Sequence, residues 1–92
     1  MLIVRETFMA KPGMASKLAK VFKDSALPRM KLRVMTDLVG EFNTVVMETE
    51  VADLAAFEKE WKEYMEDATF REKIKGYTDL YVKGRREIYR VV

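Results

Sequence analysis

Residues 2–13 read LIVRETFMAKPG, and this stretch indicates how the rest of the chain is arranged. Its first eight residues are rich in β-branched and aromatic side chains, and the Lys11-Pro12-Gly13 turn follows, which predicts a first strand with its exit turn. Alternation places Glu6 among apolar residues on one side of the strand and Arg5 among apolar residues on the other. Because neither side suits water alone, we expect this strand to be covered on both faces.

The turn leads into a predicted first helix. Pro12 suits the first helical turn, where its missing N–H would have had no partner. A stripe of apolar residues then recurs at helical spacing: Met14, Leu18, Val21 and Phe22. Pro28 pushes the residue before it out of the helical region, so the helix is predicted to end before that proline.

Two strands, at about residues 29–39 and 44–51, are predicted next, joined by a loop at 40–43 of common hairpin length. If Val39 faces Thr44, Arg33 lies opposite Glu50 as a cross-strand ion pair on the mixed face of the hairpin. The other face would then be core, with the pairs Leu38/Val45, Thr36/Met47, Val34/Thr49 and Leu32/Val51.

A second helix is predicted to begin after Asp53, which is a good N-cap residue. One side of this helix carries its large apolar residues: Leu54, Phe57, Trp61, Tyr64 and Met65. A further helical turn at Phe70 and Ile74 follows, with Gly76 as its C-terminal cap.

Residues 77–92 alternate as a last strand, with a bulge or bend expected at Gly84-Arg85. The predicted order is therefore β-α-β-β-α-β. This order is that of the α+β, ferredoxin-like arrangement, a four-stranded antiparallel sheet with both helices on one face. We expect residues 1–92 to form one such domain.

Composition narrows the classes of function. The chain of 92 residues has 17 basic and 15 acidic residues, interspersed, so no nucleic-acid partner is expected. It has no Cys and no His, so acid/base chemistry falls to carboxylates, Tyr, Lys or bound water, and we expect neither a zinc site nor a Ser-His-Asp triad. The apolar start, MLIV, is too short for a signal peptide or membrane span, which favours a cytoplasmic protein without a membrane partner.

The sheet face opposite the helices should still carry apolar residues: Ile3, Met9, Met35, Val39 and Val46. Bare apolar area of this kind predicts an interface. The order of elements, with a Pro-Gly turn after the first strand and an aromatic-rich second helix broken before Phe70-Arg71, resembles the dimeric α/β-barrel superfamily. Within it, RETFMAKPGMASKL at residues 5–18 looks most like the NIPSNAP and antibiotic-biosynthesis-monooxygenase branches.

The resemblance implies a homodimer in which two sheets face each other, and a small molecule held between sheet and helices. The haem-degrading members of this superfamily use an Asn on the first strand and a His on the last helical turn. In this chain the resemblance places Glu6 at the Asn position and Ile74 at the His position. Without an axial ligand haem is not expected, and no cofactor is predicted. Two classes of function remain: a cofactor-independent, monooxygenase-like enzyme acting on an aromatic or hydrophobic small molecule, and a non-catalytic ligand-binding or assembly protein.

The candidate site follows from the side of the sheet on which each residue falls. Glu6 is the candidate general base, and the alternative is that it pairs with a Lys or Arg. The residues expected to bound a ligand, or else simply to form core, are Phe8, Thr36, Thr49, Trp61 and Tyr64. The residues expected at the dimer interface are Ile3, Arg5, Met9, Arg33, Met35, Val46 and Glu48. Tyr77, Tyr81 and Tyr89, on the predicted last strand, are predicted to be interface anchors, and the alternative is that they are site phenols.

Overall fold

The computed structural model describes residues 1–28 and 30–92, and it has the ferredoxin-like α+β arrangement predicted from the sequence. The strands are β1 (Leu2–Ala10), β2 (Arg33–Thr36), β3 (Thr44–Val51) and β4 (Tyr81–Arg90). The helices are α1 (Ala15–Ser25), α2 (Leu54–Glu66) and α3 (Ala68–Lys73), and a 3₁₀ turn at Tyr77–Asp79 precedes β4.

The four strands form one sheet in the order β2-β3-β1-β4, and all three neighbouring pairs are antiparallel. The first strand therefore lies inside the sheet, between β3 and β4. Glu6 on β1 is flanked by Met47 on β3 and by Arg86 on β4. Because side chains alternate along a strand, these three share one face of the sheet, the face that carries the helices.

The core lies between this face and α1. Its buried members are Phe8, Ala10, Leu18, Phe22 and Val45. Leu18 and Phe22 belong to the apolar stripe predicted for α1, and the ring of Phe22 lies 5.0 Å from that of Phe8, centroid to centroid. Gly84 on β4 makes room for this packing, because a Cβ there would lie 2.9 Å from Cδ1 of Phe8.

The hairpin differs from its prediction in length and register. The strand predicted over 29–39 forms only over Arg33–Thr36, and Arg29 lies outside the described residues. Arg33 faces Glu48 rather than Glu50, so the predicted Arg33–Glu50 pairing is wrong by two residues. An offset of two leaves every side chain on its predicted face.

The loop between β2 and β3 explains this offset. The Asp37 carboxylate accepts a hydrogen bond from the backbone N–H of Thr44 at 3.0 Å, which closes the loop before β2 can extend further. Leu38 and Val39, predicted to lie in the strand, are 96% and 94% exposed in this loop instead.

The last strand also begins later than predicted. The 3₁₀ turn replaces its first residues, and β4 begins at Tyr81. The irregularity expected at Gly84-Arg85 is absent there, since Gly84 pairs in register with Phe8. The register shift lies between Met9 and Ala10 of the neighbouring strand. A glycine is therefore needed at residue 84 because the Phe8 ring packs directly over it, and not because the strand has a bulge there.

Candidate functional site

The second helix lies over the sheet but does not pack closely against it. Asp53 begins α2, and its Oδ1 accepts a hydrogen bond from the N–H of Ala56 at 2.8 Å, as an N-cap should. No residue of α2 is fully buried, and Trp61 is 37% exposed. The space left between α2 and the sheet is a cavity of about 600 Å³, which falls in the range of small-molecule sites.

The cavity is walled mainly by aromatic and aliphatic side chains. Phe8 and Val4 form part of its floor on β1, while Phe57, Trp61 and Tyr64 face it from α2. Asp67 caps α3 by accepting from the N–H of Phe70 at 2.8 Å, and this places the buried Phe70 ring at the far wall.

The candidate base and four of the five residues predicted to bound a ligand line this cavity: Glu6, Phe8, Thr49, Trp61 and Tyr64. Thr36 does not line it, contrary to the prediction. Thr36 lies on β2, against which α1 rather than α2 packs, and its side chain is exposed. The sequence-based assignment missed other polar lining residues, among them Lys31 and Glu60.

Glu6 lies on the floor of the cavity and is paired with a cation. Nη2 of Arg86 donates to its Oε2 at 3.3 Å, and the Glu6 side chain is 19% exposed. The helix-side orientation predicted for Glu6 is therefore observed, together with the alternative of pairing with a Lys or Arg. The guanidinium balances the charge of the carboxylate within a largely apolar wall.

Arg86, which was not predicted from the sequence, contacts three of the cavity-lining residues: Glu6, Phe57 and Trp61. Its guanidinium carbon lies 4.5 Å from the ring centroid of Trp61 and 5.3 Å from that of Phe57. Alternation along the last strand from Gly84 would have placed Arg86 on the helix side. The pairing of β1 with β4, which selects Glu6 as its neighbour, is a long-range contact that no local pattern specifies.

Of the three tyrosines predicted as interface anchors or site phenols, Tyr77 and Tyr81 lie on the helix side of the sheet. Tyr77 lines the cavity, and burial together with the nearby Tyr81 and Glu6 raises the pKa of its phenol. Tyr81 packs its ring against Phe8 at 4.9 Å. Only Tyr89 reaches the other face of the sheet. The prediction placed Tyr77 on that strand, whereas it lies in the turn that closes the core.

The face of the sheet opposite the helices carries a charged network centred on Glu48. This residue is 8% exposed, and it accepts hydrogen bonds from Nε of Arg5 and Nη2 of Arg33, each at 2.6 Å. These two bonds hold the pKa of the Glu48 carboxyl below its usual value. The guanidinium of Arg5 also lies 5.3 Å from the ring centroid of Tyr89, whose hydroxyl donates to Glu87 at 2.6 Å.

We call this surface the open face; it bears Ile3, Arg5, Met9, Arg33, Met35, Val46 and Glu48. Its apolar members lie around the charged network and are partly exposed: Ile3, Met9, Met35 and Val46. Val39, predicted to join them, lies in the exposed loop. The seven residues predicted at a dimer interface are thus on one surface, and their role in association remains a prediction.

Within residues 1–28 and 30–92, no cluster of three or more potential metal-binding side chains was found. No helix in the same part of the chain is long and apolar enough to cross a membrane.

The antiparallel sheet and the helices on one of its faces define an α+β protein of the ferredoxin-like type. Its fold is shared with an uncharacterised NIPSNAP domain protein from Burkholderia xenovorans (TM-score 0.87, 16% identity, 100% of this chain and 95% of that chain). It is also shared with a NIPSNAP family protein from Agrobacterium tumefaciens (TM-score 0.84, 12% identity, 99% of this chain and 85% of that chain). A structure described as an antibiotic biosynthesis monooxygenase matches with a TM-score of 0.72 and 15% sequence identity, and the match covers 100% of this chain and 99% of that chain.

The NIPSNAP family model matches residues 5–92, and the chain belongs to this family. The family resemblance inferred from the first strand and its Pro-Gly turn is thereby confirmed. A search of the curated proteins found no match. Sequence identities this low show only that the fold is shared, so the chemistry of this protein must be argued from its own site.

Proposed function

We propose that this protein binds an aromatic or hydrophobic small molecule beneath α2 and, as a homodimer, acts on it as a cofactor-independent, monooxygenase-like enzyme. The observation that carries the proposal is the cavity of about 600 Å³ with a carboxylate, Glu6, on its otherwise largely apolar floor. Ligand sites typically combine such apolar walls with a few polar groups that fix orientation.

Each wall has a defined part in this proposal. The rings of Phe57 and Trp61, whose centroids are 6.4 Å apart, offer flat surfaces to an aromatic ligand. Glu6 accepts a proton from an acidic C–H or O–H group of the ligand, as a general base. The resulting electron-rich anion reduces O₂: a CH₂ group becomes C=O, one oxygen atom enters the product, and the other leaves as water with the two hydrogens.

A second candidate is a non-catalytic binding protein, and one observation favours it. Glu6 already accepts a hydrogen bond from Arg86, as structural ion pairs do. In this case the ion pair only balances the charge of Glu6, and the ligand is held unchanged. The two candidates share the cavity and differ in whether Glu6 takes up a proton.

The homodimer is proposed through the open face. Its partly exposed apolar side chains surround a network in which Arg5 and Arg33 share the Glu48 carboxylate. Much of the charge on this face is therefore already paired within one protomer, which lowers the desolvation cost of covering it with a second sheet. A permanent contact of this kind buries at least about 1,200 Å² in total.

The first experiment is native mass spectrometry of the purified protein, to detect a co-purifying compound in the cavity. Oxygen uptake is then measured with that compound as substrate. Glu6→Gln keeps the shape of the side chain but cannot act as a base, so we expect turnover to fall at least about 100-fold while affinity changes little. Glu58→Gln, on the exposed surface of α2, is the matched control. Binding without oxygen uptake would favour the non-catalytic candidate.

A further inference from the structure

Arg86 spans the gap between the sheet and α2. Its Cα pairs with that of Glu6 across the β1–β4 ladder, and its Nη2 donates to Oε2 of Glu6 at 3.3 Å. The same guanidinium lies over the rings of Trp61 and Phe57, at 4.5 and 5.3 Å from their centroids. A single side chain therefore contacts the carboxylate on the cavity floor and two rings on the cavity wall.

The surroundings distinguish this contact from an ordinary surface ion pair. Exposed pairs are held weakly, because two long side chains must give up their freedom in water. Here the side chains of Arg86 and Glu6 are 37% and 19% exposed, and the rings on α2 cover the guanidinium. The planar guanidinium can stack on a ring and donate sideways to a carboxylate at the same time, which an ammonium group cannot do.

We propose that Arg86 is the positioning residue of this site: it fixes the orientation of the Glu6 carboxylate and couples it to the indole of Trp61. Arg86 acts through Glu6 and need not contact a ligand itself. What Glu6 then does to a ligand rests on the proposed function, whereas the coupling of Glu6 to Trp61 is present in the ligand-free protein.

This coupling makes the site selective for ligand size. No residue of α2 is fully buried, so the helix can shift outward with little loss of packing. A ligand that fits beneath α2 leaves Trp61 over Arg86 and the carboxylate aligned. A bulkier aromatic ligand displaces Trp61, and Glu6 loses its alignment through Arg86. We therefore expect bulky ligands to bind without being converted.

Trp61 is the single tryptophan of the chain, so its fluorescence reports on the contact directly. In the ligand-free protein we expect Arg86→Gln to raise the acrylamide quenching constant of Trp61 about twofold, since a covering group is lost. Glu6→Gln should raise it by a smaller factor, because it frees the guanidinium without touching the indole. The double variant should match Arg86→Gln alone.

Arg90→Gln is the control, on the same strand and the same face, four residues from Arg86, and should leave quenching unchanged. Arg86→Lys keeps the positive charge but lacks the planar guanidinium, so it should raise the quenching of Trp61 as Arg86→Gln does. Unchanged quenching in Arg86→Gln and Arg86→Lys, or additive effects in the double variant, would overturn the proposal. Failure of the apolar probe N-phenyl-1-naphthylamine to bind the wild type would count against the proposed function alone.

Discussion

Glu48 is the residue on which the open face depends. It is nearly buried, and two guanidinium groups donate to it, while Glu50 lies two residues along the same strand and is exposed. Removing Glu48 leaves Arg5 and Arg33 close together without their shared anion. Because these arginines are 43% and 70% exposed, the penalty falls below that of a fully buried pair.

We expect Glu48→Ala to lower the free energy of unfolding by about 2 kcal/mol, and Glu50→Ala by less than about 0.5 kcal/mol. Urea denaturation at a fixed protein concentration measures both. Equal losses would show that the Glu48 network contributes no more than an exposed carboxylate does.

The same residue predicts how stability depends on pH. Its hydrogen bonds from Arg33 and Arg5 lower the pKa of Glu48 from its ordinary value of 4.5. The folded state therefore favours the ionised carboxyl, and the resulting stability is present above pH 4.5 and is lost as the pH falls through the lower, folded value. Denaturation curves recorded over this acid range should show a steeper loss for the wild type than for Glu48→Gln. Parallel curves would contradict this prediction.

At the scale of the elements, α2 depends on its N-cap more than most helices do. It buries no residue completely, so packing stabilises it less than packing stabilises a buried helix. The hydrogen bond from the Ala56 N–H to the Asp53 side chain therefore contributes a larger share of its stability. We expect Asp53→Ala to cost about 1 kcal/mol and to speed hydrogen exchange along α2, while Asp53→Asn, which can still cap, keeps most of the protection. Exchange of the β1 amides is the internal reference, and loss of protection in both variants alike would disprove a capping role.

How far the sequence could predict these elements depended on the range of the contacts. Alternation placed Glu6, Thr49 and Glu48 on their observed faces, because side-chain parity survives a register error of two residues. The register itself depended on the Asp37 side chain closing the loop, which a count of loop residues cannot show. Arg86 was missed for a similar reason: only the pairing of distant strands brings it to Glu6.

At the scale of the whole molecule, the prediction concerns association. We expect the wild type to sediment as a dimer at micromolar concentration and Met35→Asp to sediment as a monomer, because the substitution would bury an unpaired charge on the open face. Leu54→Asp, on the helix side and 58% exposed, is the matched control and should remain a dimer. A monomeric wild type would disprove association through this face.

The sheet order has a consequence for a chain that has been cut. The loop between β2 and β3 exposes Leu38 and Phe42, which suit proteases that cleave after large apolar residues. A cut there separates β1, α1 and β2 from the remaining elements. In the order β2-β3-β1-β4, every ladder then joins one fragment to the other. We therefore expect the nicked protein to stay assembled through size-exclusion chromatography, and the two fragments, expressed separately, to reconstitute the fold by complementation.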